Sequence, residues 1–228
     1  MTTRRLTGWL SVALLMATLG WNTPAAHAAI VLDGGIGDWT PADILYANSE
    51  ISDAGNPDAA YNTVHVTHDA SNLYVAIVTD GGNGGTILND WTHNIYIDTD
   101  TNAATGYAST WFSHGYDVLA QYGSSGTVYS AFGFTGGTQS QWSWSFINTI
   151  SYAFGGNVIE LAIPLSYLGN PTAVTLEFNA TGGSAAGETW AYQFESGAKT
   201  YTLVPEPASL ALLAGALLLP IGRKRRPA

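Results

Sequence analysis

Asp98, Asp100 and Asn102 stand at alternate positions. Side-chain oxygens at the first, third and fifth places of a loop are what a calcium ion collects. The EF-hand itself is excluded, because Ala103 stands where that loop needs glycine and no glutamate closes it at the twelfth place. Two readings stay open: a looser calcium turn, and a β-turn held by side-chain-to-backbone bonds, the commoner use of such spacing. Calcium is therefore a candidate cofactor, with Asp98, Asp100 and Asn102 as its ligands. Glu160 and Glu177 fall on predicted strands and are the carboxylates to weigh for glycoside hydrolysis, which needs a pair roughly 5 to 9.5 Å apart in one cleft. Strand carboxylates more often face solvent. His65 and His68 fall on opposite faces of a strand, and neither His93 nor His114 sits at a metal-ligand spacing. Without cysteine, the chain has no disulfide, thiolate metal site or cysteine nucleophile. It has no G-x-S-x-G elbow, and Gly82 to Gly85 runs into Thr86 without the lysine of a phosphate loop. No catalytic residue is assigned, and the chain is not read as an enzyme.

The aromatics carry the other chemistry. Trp142, Trp144 and Phe146 recur at period two and so share one face of a strand. Exposed, they would form a binding platform; such a stripe is more often core, and that is the expectation here. Trp91 stands just ahead of a strand, at the end of a polar, glycine-rich approach.

The elements that must position these groups are short. Ile95 and Ile97 point one way while Asn94, Tyr96 and Asp98 point the other, the period of a half-buried strand. The turn that follows ends at Gly106, where positive φ is expected. Further strands are predicted at 30–32, 63–67, 72–79, 116–122, 127–134, 141–146, 157–163, 174–180, 189–194 and 201–203, with one helical turn at 165–168. In 72–79 both faces are apolar, which suits a central strand. Many short strands, glycine-rich turns and no long helical period predict an all-β antiparallel sandwich or jelly roll, with no internal repeat and no second domain.

Charge narrows the partners. Residues 29–203 hold 16 acidic residues against Lys199 alone, a formal charge of −15. Such a surface repels nucleic acid and anionic headgroups and suits cation binding. The ends differ. Arg4 and Arg5, an apolar run and Ala26-His27-Ala28 have the three-part form of a secretory signal, predicting a signal helix and a mature start at Ala29. At the other end stand Val204-Pro205-Glu206-Pro207, an apolar stretch over 208–221 and Arg223-Lys224-Arg225-Arg226. That stretch is short of the roughly 20 residues of a comfortable span, but the basic cluster would hold its end in the cytoplasm. The expected organisation is a signal peptide at 1–28, a β-sandwich at 29–203 and a tail at 204–228 with a short hydrophobic transmembrane helix.

Two resemblances extend this reading. The tail resembles the PEP-CTERM sorting signal, which implies an exosortase-type processing enzyme as partner, transient membrane anchoring, and association with an exopolysaccharide biofilm matrix. LDGGIGDW, SNLYVAIVTD, NIYIDTDTNAATGY and GNVIELAIPLSYLG, in that order, resemble the family-nine-like carbohydrate-binding modules, related to the DOMON-type sandwiches. That resemblance implies a sugar clamped between Trp91 and Trp190, with Asn94 and Leu119 where the family places a glutamate and an arginine. The expected function is an exported, non-catalytic protein that binds extracellular polysaccharide. The alternatives are a structural matrix protein without a sugar site, and a glycan-active enzyme using Glu160 and Glu177.

Overall fold

Leu73, Val75 and Ile77 point to one side of their strand, and Ile159, Leu161 and Ile163 to the same side of its neighbour. They meet Ile95, Ile97, Val174, Leu176 and Phe178 of a second sheet, so the period-two residues of both sheets close one core. The computed structural model describes residues 29–47, 61–79, 91–110, 112, 114–122, 128–182, 193–195 and 197–203, without the side chains of 61, 91, 92, 180–182 and 193–195. The chain divides into two units, Ala28–Val204 and one formed by Met1–His27 with Pro205–Ala228. The second lies outside the described residues.

Twelve strands are described: β1 (Ile44–Ala47), β2 (Tyr61–His68), β3 (Asn72–Thr79), β4 (Trp91–Asp98), β5 (Val118–Tyr122), β6 (Tyr129–Phe134), β7 (Trp144–Thr149), β8 (Ser151–Gly155), β9 (Val158–Pro164), β10 (Ala173–Gly182), β11 (Gln193–Glu195) and β12 (Lys199–Thr202). The smaller sheet runs β1-β2-β3-β9-β8. The larger runs β11-β10-β4-β5-β6-β7, with β12 also on β10. Every pairing between these strands is antiparallel. The β2–β3 hairpin turns on Asp69, whose carboxylate accepts from the Ser71 and Asn72 amides and the Tyr74 hydroxyl.

Outside the smaller sheet, 29–40 forms bends rather than the strand expected at 30–32. Its amides serve side chains instead of a ladder: Asp33 and Gly34 both donate to Glu160 Oε2, and Val31 to Asp38. Gly34 has φ +78°, and a Cβ there would stand 2.4 Å from Gly155 N and the Phe154 carbonyl carbon. Only glycine fits that crossing. Sequence periodicity missed β1 and β8. It placed the strand at 141–146 three residues early; β7 runs from Trp144 to Thr149, with Ile147 bulged opposite the Ala131–Phe132 step of β6.

One part of the expected fold class is corrected. The expected N-terminal signal helix and C-terminal hydrophobic helix are not found among the described residues, which contain no α-helix, only 3₁₀ turns at Pro41–Asp43 and Leu165–Leu168. No helix there is long and apolar enough to cross a membrane, so the anchored localisation loses its support. Residues 1–28 and 204–228, on which those helices fall, lie outside the described residues.

Candidate functional site

The strands of the larger sheet turn their other face away from the core, and three rows of side chains cross it. The first row is polar: Asn179 pairs with Asn94, Asn94 with Gln121, and Gln121 with Ser130. Gln121 Nε2 donates to Asn94 Oδ1 (2.7 Å) and Asn94 Nδ2 to Asn179 Oδ1 (3.1 Å), so a chain of amides crosses three strands. The second row runs Glu177, Tyr96, Leu119, Phe132, Phe146. The third is acidic and lies at the end of β4, where Asp98, Asp100 and Asp117 converge.

Across the second row, reaching Gln121 of the first, opens a groove of about 400 Å³, lined by Leu119, Gln121, Phe132, Trp142, Ser143 and Trp144. Trp142 is 54% exposed, yet its ring is fixed edge-on against Tyr107 (5.1 Å) and Trp144 (5.6 Å). Trp144 packs in turn on Phe134, and its Nε1 is sealed without a partner. The polar side chains of the lining are Gln121, whose Nε2 donates to Asn94, and Ser143, whose Oγ pairs with Thr135 Oγ1 (3.0 Å). Phe146 continues the apolar row into solvent at 58% exposure. The stripe expected to be core thus faces outward, because β7 is the edge strand and the row lies on the face turned away from the smaller sheet.

The wall holding Trp142 leans on the acidic turn. Gln139 Nε2 donates to the Ala103 and Thr105 carbonyls, and Ala108 N donates to the Gln139 carbonyl. Gly106, at φ +68°, lies so close to the Tyr116 backbone that a Cβ would come within 2.5 Å of it. Within the turn, Asp98 Oδ1 accepts from the Asp100 and Asn102 amides, while its Oδ2 is buried without a hydrogen-bond partner. Burial first, then the Asp100 side chain and the Asp117 charge, push the Asp98 carboxyl above the ordinary carboxylate range. Asp117 Oδ2 accepts from Thr99 N and Oγ1. Asn102 Oδ1 accepts from Ala104 N, the bond of an Asx turn, and Asp117 joins Asp98 and Asp100 in the acidic cluster.

The other candidates are scattered. Asn94 is buried, with both ends of its amide engaged. Its neighbour on β5 is Gln121, whereas Leu119 lies opposite Tyr96. Trp91 opens β4 opposite Gly182, but its side chain lies outside the described residues, as does Trp190 altogether. Glu160 faces out of the smaller sheet and accepts from Asp33 N, Gly34 N and Trp39 Nε1. Glu177 faces out of the larger sheet, where the Tyr116 hydroxyl donates to it. Burial first, and then Glu177, hold that phenol well above its ordinary value. With the core between them, the two glutamates share no cleft, and the acid/base pair does not form. Gln121, Ser143 and Asp117 were missed. Gln121 left one signal, a lone amide among apolar strand residues.

No family model and no characterised protein matches the chain. Both resemblances are therefore withdrawn: neither the carbohydrate-binding family nor the PEP-CTERM signal is found, and the sorting and matrix expectations drawn from them go too, while the signal peptide read at 1–28 lies outside the described residues. The motifs misled because LDGGIGDW and NIYIDTDTNAATGY are strand ends and turns that any sandwich can use. The exosortase-type partner rested on the tail and is carried no further.

Proposed function

We propose that the chain is a non-catalytic module that binds a neutral polysaccharide along the outer face of its larger sheet. The observation that carries this reading is the groove, with its fixed and exposed Trp142, its apolar floor of Leu119 and Phe132, and its edge of Gln121 and Ser143. A sugar ring has an apolar C–H face and a rim of hydroxyls; an indole face matches the first, and amide and hydroxyl groups the second. Gln121 is held in place by Asn94, which makes Asn94 a positioning residue rather than a contact. The charge of −15 over 29–203 disfavours acidic glycans and favours uncharged ones. Trp91, at the start of β4, and Trp190 stand as further proposed contacts, to be tested by substitution.

The test is titration of neutral polysaccharides against the purified chain and its Trp142→Ala and Gln121→Ala variants. Each variant is expected to weaken binding about tenfold, or ~1.4 kcal/mol. Trp91→Ala and Trp190→Ala report whether either side chain contributes to binding. An intact fold that binds none of these glycans would leave the structural-protein reading in possession.

A further inference from the structure

We propose that the turn between β4 and β5 is a calcium site built from Asp98, Asp100 and Asp117. Two independent observations support it. One oxygen from each carboxylate lies within 4.8 Å of the others, about twice a calcium–oxygen distance of 2.3–2.6 Å, so one ion reaches all three. Asp98 is fully buried, and with Oδ1 taken by turn amides, its unpartnered Oδ2 is left to the other two carboxylates. A buried carboxylate oxygen with no donor is costly until a cation meets it. No lysine or arginine among the described residues does so. Lys199, the one lysine or arginine between 29 and 203, sits over the Tyr46 ring. The three carboxylates supply the charged ligands and water completes the shell. That ligand set belongs to the weak range, with dissociation constants of about 10⁻⁴–10⁻³ M.

The site has a consequence for the groove, which rests on the polysaccharide reading. Ala103 and Thr105 hold Gln139 in the β6–β7 loop, and Tyr107 packs on Trp142. An ion that draws the three carboxylates together orders the turn, and through it the wall of the groove.

The full chain, stripped with chelator, is titrated with calcium chloride, and with magnesium chloride for comparison, by calorimetry and by thermal melting. Calcium at about 10 mM is expected to bind one ion per chain and raise the melting temperature by several degrees, with magnesium weaker. Asp117→Asn is expected to lose at least tenfold in calcium affinity. Without calcium it melts no lower than the parent, because one of three repelling charges is gone while Thr99 keeps an acceptor. Neither heat nor a melting shift with calcium, or a full response in Asp117→Asn, overturns the proposal. These readouts contain no glycan, so their failure leaves the polysaccharide reading standing, and absent glycan binding leaves them intact.

Discussion

Glu160 gathers three donors on one buried carboxylate and ties the N-terminal segment to the outside of the smaller sheet. Glu160→Ala leaves two backbone amides and the Trp39 indole without that acceptor, and is expected to cost about 3 kcal/mol in denaturant unfolding. Beside it, His65 packs edge-on to Trp39 and is pulled below its ordinary value of 6.5, first by burial, with the Asp43 charge opposing. The folded state then binds fewer protons than the unfolded state between the two values. Its contribution to stability is complete above about pH 6.5 and is lost as pH falls toward the lowered value. Melting from pH 7 to 5 is expected to show that loss in the parent chain and a flatter profile in His65→Gln. A lone histidine at a strand position shows its burial to sequence reasoning, but not the packing partner that sets its proton affinity.

Strand register decides what the larger sheet offers. β4 carries the face, with Asn94, Tyr96 and Asp98 each heading one row of side chains. Alternation along β4 was legible, because a buried face writes its period into the chain. Pairing was not: nothing local tells that Asn94 faces Gln121 rather than Leu119, two residues earlier. β7 shows the same limit. Trp142, Trp144 and Phe146 have the pattern of core, and only the position of β7 at the sheet edge turns them outward. Phe146→Ser is expected to change stability by less than about 0.5 kcal/mol by urea unfolding, where a core phenylalanine would cost about 3–5. The same change should lower self-association, since an exposed apolar edge strand invites pairing.

At the scale of the molecule, a two-sheet core leaves one outer face covered by 29–40 and the other open around an aromatic groove. The class of fold was legible because period two repeats through most of the chain. The acidic turn was legible in Asp98 and Asp100, whereas its third carboxylate lies 17 residues on and is brought in by β5. The PEP-CTERM resemblance of the tail failed on different grounds, since an apolar stretch and a basic cluster suit many tails. The account stands on the groove, and polysaccharide titration with parallel melting of the parent chain and Trp142→Ala tests it most directly. Trp142 is half exposed, so its removal is expected to leave the melting temperature nearly unchanged while binding of a neutral glycan falls about tenfold. Unchanged binding in Trp142→Ala, or a parent chain that binds no neutral glycan, would contradict it.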